Sequence, residues 1–453
     1  MKLGRKSTLA ILTLDVLSLG IVFNAIGAIR GIYEFNGLII APLAMPALAL
    51  IAALYLIDGY KMRTDMLGLD YASQHAIAIF FAMLTTLIVT FIVIPGGYPL
   101  QQSRAVVALS FVALIPATLV YRRLLYARHI RHRGNRCLVF MGDRPSSHAF
   151  QEECALADMT QPVVTVNGND GTPNNPGDTT VSFNDLLAKI NAREVTVEAV
   201  ILRESSRDLP PDIFQQLVDL YFSGVPTFTV ELFHQVYWRK IPLYRLNQTW
   251  LFQEGFRVAR EPAFERIKRI NDIACGCFGL VLATPVFLAV AAAIWFEDRG
   301  PVFFKQSRVG KNRVPFTVYK FRSMRQNVTG VPYAQEFDNR ITKVGRFLRA
   351  SRIDEFPQIL NVIKGEMSFI GPRAEWSRLV ADYEKQIPCY HFRHLVRPGI
   401  TGWAQVNYPY GASIGDTLRK LEYDLYYVKH FSFTLDASIV LKTIHVMLFG
   451  KGR

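Results

Sequence analysis

The chain has 453 residues, half of them apolar and 19% charged, with a formal net charge of +14. That length leaves room for two or three domains, and the positive mean hydropathy points to an integral membrane protein and away from a soluble enzyme. The apolar runs argue against nucleic acid as a partner, so the basic balance is read as serving anionic membrane lipids and phosphate-rich substrates.

Four apolar stretches, Thr8–Ile29, Leu38–Ile57, His75–Pro95 and Ala105–Val120, are each near the length that spans hydrocarbon as a helix. The first is too long for a signal-peptide core and reads as a retained span. Asp15 inside it is costly in lipid and must face another helix. Lys2, Arg5 and Lys6 precede the first span, Lys61 and Arg63 follow the second, and six arginines from Arg122 to Arg136 follow the fourth. By the positive-inside rule both ends of this 1–125 bundle are cytoplasmic.

Residues 136–252 have a soluble composition. Short β-rich runs, Cys137–Met141, Val163–Val166, Ala199–Leu202 and Thr227–Val230, alternate with helical stretches Asn184–Ile190 and Asp212–Phe222, which suggests a small parallel, Rossmann-like α/β unit in the cytosol. Gly142 stands alone where a dinucleotide fingerprint needs three glycines, so the module reads as structural or regulatory. Asn167–Thr180, rich in Gly, Asn, Asp and Pro, reads as an exposed loop. The scattered cysteines Cys137, Cys154, Cys275, Cys277 and Cys389 offer neither a disulfide framework nor a zinc spacing, which fits a reducing compartment.

Ile273–Phe296 is apolar again, with Thr284-Pro285 at its middle. Length favours a fifth span, but Arg266, Lys268 and Arg269 precede it and Lys305, Arg308, Lys311 and Arg313 follow. Basic flanks on both sides suit a segment that enters and leaves by one face. Pro285 removes a backbone hydrogen bond, and the Thr284 hydroxyl can satisfy a freed carbonyl. The expectation is a re-entrant helix hairpin over 273–296, with Cys275 and Cys277 as small buried side chains.

The remaining residues are dense in short motifs. The stretch SRIDEFPQILNVIKGEMSFIGPR, from Ser351 to Arg373, centres on the adjacent pair Asp354-Glu355, with Arg346, Arg349 and Arg352 before it and Gly371-Pro372-Arg373 after. A carboxylate pair among arginines, beside a membrane segment, suggests chemistry on a phosphorylated and partly lipidic substrate. The end, FSFTLDASIVLKTIHVMLFGKGR, reads as an amphipathic helix at the interface.

From about Arg266 to the C-terminus the sequence resembles the bacterial sugar transferases, the polyprenyl-phosphate glycosyl-1-phosphate transferases that begin exopolysaccharide, capsule and O-antigen assembly. The resemblance is carried by KRINDI, the Thr284-Pro285 segment, RVGKN…FTVYKFRSM, DNRITKVGRFLR, the Asp354-Glu355 stretch and RPGITGWAQVN. It implies a catalytic domain over 262–453 that moves a sugar 1-phosphate from a UDP-sugar to undecaprenyl phosphate and releases UMP. It further implies Asp354 as nucleophile, through a covalent phosphosugar-aspartyl intermediate, and Glu355 as ligand of a Mg2+ cofactor.

Arg308, Lys320, Arg322, Arg346, Arg352, Arg373 and Gln405 are then candidate phosphate or substrate contacts, and Asp272 an anchoring or polyprenyl-phosphate residue. Many members read Gly-Pro-Arg-Pro where this chain has Ala374, which puts the rigidity of that turn in question. The expected fold is a membrane α-helical bundle, a cytosolic Rossmann-like domain, and a membrane-associated α/β catalytic domain with the re-entrant hairpin. Its expected place is the bacterial inner membrane, catalytic domain inward, with a homo-oligomer left open. A membrane-bound nucleotide-sugar dehydratase or epimerase and a non-catalytic assembly scaffold are the rival readings; neither the sugar nor the polymer is legible.

Overall fold

The computed structural model describes residues 2–32, 38–61, 64, 66–133, 136–157, 159, 161–166, 182–192, 194–203, 210–243, 262–325, 340–408, 411 and 413–449. They fall into two compact units, Met1–Pro242 and Leu243–Arg453. The loop expected at 167–180 lies outside the described residues, as do Asp338 and Asn339.

The first unit begins with helices α1 (Lys2–Ile29), α2 (Ala44–Leu56), α3 (Leu69–Ile88) and α4 (Arg104–Arg133). Parts of α1, α3 and α4 are long and apolar enough to cross a membrane, together with one later helix. The stretch expected to span as Leu38–Ile57 is shorter than anticipated: α2 has 13 residues, about 20 Å at 1.5 Å per residue against a hydrocarbon core of about 30 Å. Pro42 and Pro46 hold its start in a tight 3-10 turn. The fourth stretch instead runs further, to Arg133, because the arginines that mark its cytoplasmic end are themselves helical.

Asp15 faces α4, where both its oxygens accept from the Arg122 guanidinium at 2.6 Å. Tyr60 donates to it at 2.7 Å and Tyr121 also donates. Asp15 and Arg122 are fully buried, so the charge is compensated inside the bundle as its cost in hydrocarbon requires.

The sheet of this unit contains β1 (Arg136–Met141), β2 (Val163–Val166), β3 (Thr196–Leu202) and β4 (Thr227–Thr229), all parallel in the order β2-β1-β3-β4. Helices α5 (Arg144–Leu156), α6 (Phe183–Asn191) and α7 (Pro211–Phe222) make the crossovers, and a short α8 (Val230–Phe233) follows β4. Side chains alternate along β1: Cys137, Val139 and Met141 pack with α6 and α7, while Leu138 and Phe140 pack with α5 and α8. The sheet is therefore covered on both faces, as buried parallel strands require. At the end of β1 the N-cap of α5 is Asp143, which accepts from Ser146 N and pairs with Arg203 at 2.7 Å. A carboxylate thus occupies the helix end where a pyrophosphate would sit in a dinucleotide fold.

The second unit is built on α9 (Pro262–Asp298), a single helix of 37 residues. The hairpin expected at 273–296 is absent as a helix–loop–helix: Pro285 lies in the helix interior. The proline ring removes only the N–H that would bond Val281, while Thr284 Oγ1 donates to Leu280 O at 2.8 Å. Asp272, Gly276, Ala283, Val290 and Ile294 are buried, while Thr284, Pro285 and Val286 at the middle of the helix are exposed. Also exposed are Phe278, Val281, Leu282 and Leu288. Cys275 and Cys277 are exposed with them, contrary to the buried positions expected, because they fall to either side of the buried Gly276.

Both ends of α9 bear on the same α/β body. Near the N-terminal end, Glu265 pairs with Lys311 and Arg397, and Arg269 donates to the carbonyls of Val362 and Ile363. Near the C-terminal end, Val290 and Ile294 pack against Phe321 and Leu348, and Glu297 accepts from Lys343 N.

That body comprises a hairpin of β5 (Phe303–Val309) and β6 (Pro315–Phe321), then α10 (Lys343–Ala350), α11 (Gln358–Lys364), β7 (Ser368–Ile370), α12 (Ser377–Gln386), β8 (Gly399–Thr401), α13 (Trp403–Asn407), α14 (Ile414–Lys429) and α15 (Phe433–Phe449). Helix α15 is a packed helix more than an interfacial one. Leu435, Ile439, Leu441 and His445 are buried and Asp436 pairs with Lys268, while Phe433, Val440 and the end of the helix, Met447 to Phe449, are exposed.

Candidate active site

The free edge of β6 is closed by a side chain. Asn361 of α11, fully buried, donates to Thr317 O at 2.7 Å and accepts from Tyr319 N at 3.2 Å. This pairing docks α11 on β6 and brings Lys320 against the residues just before α11. Those residues, Ile353–Glu355, form a 3-10 turn whose N-cap, Arg352, has a left-handed backbone (φ +60°). Such a conformation is uncommon outside glycine and is held by its surroundings. Ile353 and Phe356 anchor the turn in the cluster of Val290, Phe321 and Leu348, which leaves Asp354 and Glu355 to line a cleft of about 1120 Å³.

Lys320 Nζ donates to Glu355 Oε1 at 2.5 Å, and Arg373 Nη2 lies 3.8 Å from the same oxygen. Burial opposes a charge on Glu355, yet Lys320, Arg373 and Arg352 together outweigh it and hold the carboxyl down at about 2. Asp354 moves the other way. Burial, with Glu355 adding to it, pushes its carboxyl above the ordinary value against the pull of Lys320, Arg349 and Arg352. Burial also lowers the Lys320 ammonium, and Arg373 adds to that effect. Two adjacent carboxylates thus have opposite characters: Glu355 is a fixed anion, and Asp354 is the more basic of the two.

Of the residues picked out from sequence, Arg308, Lys320, Arg322, Arg352, Arg373 and Gln405 line the cleft with the pair. Arg346 does not: it lies exposed on α10, whose buried face is Gly345 and Leu348. Asp272 is also elsewhere. It is 4% exposed and accepts from Ser368 Oγ and Phe369 N, so it staples α9 to β7. Thr284 and Pro285 are exposed in α9. Gln405 suits a hydrogen-bond donor better than a phosphate, because its amide N–H is given to Ile400 O.

Several cleft residues escaped the sequence reading: Glu375, Arg393, Lys420 and Asp424. The signal for Asp424 was present, since it shares a buried helical face with Leu421, Leu425 and Val428. The turn that lacks a second proline at Ala374 is secured differently. Arg308 donates to Ala374 O at 2.8 Å and Arg393 to Arg373 O at 2.9 Å. Among the described residues no three metal-ligating side chains converge; the carboxylates that could share an ion with a phosphate ligand are Asp354 and Glu355.

An apolar-faced helix beside a cleft in which cations surround one carboxylate pair defines a membrane-associated protein that handles phosphorylated ligands. Residues 263–450 match the family model described as bacterial sugar transferase. The UDP-N-acetylgalactosamine-undecaprenyl-phosphate N-acetylgalactosaminephosphotransferase of Aeromonas hydrophila is 40% identical over 269 residues, 59% of this chain and 63% of that protein. The UDP-glucose:undecaprenyl-phosphate glucose-1-phosphate transferase of Escherichia coli is 42% identical over 39% of each chain. The exopolysaccharide production protein PSS of Rhizobium leguminosarum is 42% identical over 41% of this chain and 98% of its own. The chain therefore belongs to the bacterial sugar transferase family. It spans about two thirds of the first of these relatives or less, and about two fifths of the second.

Proposed function

We propose that the chain transfers a sugar 1-phosphate from a UDP-sugar to undecaprenyl phosphate, releasing UMP, as the first step in assembling an exopolysaccharide, capsule or O-antigen repeat unit. The observation that carries this reading is the split character of the pair: Glu355 fixed as an anion by Lys320, and Asp354 made more basic in a cleft of guanidinium groups. The names of the relatives supply the donor and acceptor classes.

An Asp354 carboxylate oxygen attacks the sugar-linked phosphorus of the donor. A P–O bond to Asp354 forms, the bond to the bridging oxygen breaks, and its electron pair leaves on UMP. The phosphate oxygen of undecaprenyl phosphate then attacks the same phosphorus and returns the carboxylate. Both nucleophiles are already anions, so no general base is needed, and the chain's task is positioning and charge neutralisation. Arg322, Arg352 and Arg373 line the cleft to do this.

Glu355 is the residue that would hold Mg2+, an ion satisfied by one or two carboxylates with phosphate oxygens and water. Lys320 and Arg373 both bear on the Oε1 of Glu355. When bound, the ion would neutralise charge on the diphosphate.

The two-ended docking of α9 on one body supports its insertion from one membrane face, with the exposed apolar side toward lipid and basic flanks on anionic headgroups. The positive-inside pattern supports a place for this body on the cytoplasmic face of the inner membrane. A UMP-release assay with undecaprenyl phosphate and a panel of UDP-sugars tests the reaction. The wild type should release UMP with at least one donor and Asp354→Asn with none; silence of the wild type with every donor overturns it. For the membrane arrangement, cysteines placed at Thr284 and Lys311 should be shielded and cytosolic respectively. Labelling at Lys311 from outside would refute it.

A further inference from the structure

Two residues that line the cleft apart from the acidic pair, Asp424 and Gln405, carry buried acceptor atoms without a hydrogen-bond partner. We propose that Asp424 and Gln405 form an acceptor subsite that binds hydroxyl groups of the nucleotide-sugar donor, a role that rests on the transfer reading above.

Asp424 of α14 is 2% exposed and lines the cleft. Its Oδ2 accepts from Arg393 at 2.7 Å, while its Oδ1 is buried without a hydrogen-bond partner. Gln405 of α13 also lines the cleft. Its Nε2 donates to Ile400 O, and its Oε1 is likewise buried without a partner. Buried acceptors without partners are uncommon because they cost stability, and a ligand that supplies donors removes that cost.

What they accept follows from charge. A phosphate presents only acceptors, and a second anion beside Asp424 would be repelled. A hydroxyl donates and carries no charge. The position is also apt, because Arg373 links the subsite to the acidic pair: its guanidinium faces Glu355 at 3.8 Å, and its carbonyl accepts from Arg393, the partner of Asp424. Burial, with Glu375 adding to it, pushes the Asp424 carboxyl up against the pull of Arg393, and the 2.7 Å pair with that guanidinium favours the anion.

The hydroxyls can be those of the hexose or of the ribose, and the test separates them. The full chain in detergent is assayed for UMP release with the best UDP-sugar, comparing wild type, Gln405→Met and Asp424→Asn, with urea unfolding of each alongside. Gln405→Met keeps the shape and removes the Oε1 acceptor together with the Nε2 donor to Ile400 O, so its unfolding midpoint checks that a loss is not structural. Inhibition by UMP and by 2′-deoxy-UMP is measured alongside.

The expected result is a KM for the donor raised roughly tenfold by Gln405→Met at an unfolding midpoint close to wild type, and more by Asp424→Asn. Unchanged UMP inhibition assigns the hexose. Weaker UMP inhibition with 2′-deoxy-UMP unaffected assigns the ribose. Because Asp424→Asn strands Arg393 and could unfold the site, Gln405→Met carries the test by itself. An active wild type whose donor KM is within twofold in Gln405→Met overturns the subsite, as does equal weakening of UMP and 2′-deoxy-UMP. No UMP from wild type with any donor overturns the transfer reading, and the subsite with it.

Discussion

Replacing Lys320 by methionine removes the cation closest to Glu355 while keeping the length of the side chain. The Glu355 carboxyl is held well below its ordinary value, at about 2, which is worth on the order of 3 kcal/mol of folding stability at neutral pH. Burial of the Lys320 ammonium costs part of this, and Arg373 remains at 3.8 Å, so the net loss on substitution is expected at about 2 kcal/mol.

The sign follows from the lowered carboxyl. Its contribution is complete above 4.5 and fades as pH falls toward about 2, so the gap between wild type and variant should narrow in acid. Lys320 also pulls the Asp354 carboxyl down; without it, the acid limb of the UMP-release profile should move to higher pH. Urea unfolding of the detergent-solubilised chain at pH 7 and pH 4, with a pH–rate profile, reads both effects. Equal unfolding midpoints at pH 7 together with an unmoved acid limb would refute the coupling of Lys320 to the pair.

The remaining expectations concern other parts of the chain. Asp354→Asn should abolish UMP release yet raise the unfolding midpoint, because a carboxyl pushed upward by burial is a cost to the folded state at neutral pH; a drop in stability would count against it. Gly345→Ala would place a Cβ 2.1 Å from the Ser323 carbonyl oxygen and should destabilise the second unit by roughly 1–3 kcal/mol, seen as a lower unfolding midpoint. Asp15→Leu leaves the buried Arg122 unpaired and should cost about 3–5 kcal/mol. Adding Arg122→Met to it should recover much of that loss, and a double variant as unstable as Asp15→Leu would show that the pair matters only singly.

The sequence made the parallel sheet legible because alternating apolar residues in β1 and β3 are a local pattern that burial on both faces enforces. It also made Asp354-Glu355 stand out, since a carboxylate pair amid arginines is a charge anomaly visible without coordinates. Asp15 was readable as needing a partner, but not that Arg122 would be the partner across 107 positions.

Misjudgements arose where one residue's local rule met tertiary packing. Pro285 should break a helix, yet α9 runs through it, with the Thr284 hydroxyl donating to Leu280 O. Arg346 and Arg352 looked equivalent by proximity to the pair; Arg346 lies on the exposed face of α10, while the left-handed turn at Arg352 sets it at the cleft.

What the sequence by itself determined is composition-bound: apolar segments of membrane length, the sign of their flanks, and a carboxylate pair whose neighbours are basic. Only the tertiary structure decided which carboxylate is the fixed anion and which is the more basic one. That distinction depends on Lys320, 35 residues away, arriving 2.5 Å from Glu355 because Asn361 docks α11 on β6. Electrostatic energies vary with distance and burial, and neither is written in the order of the residues.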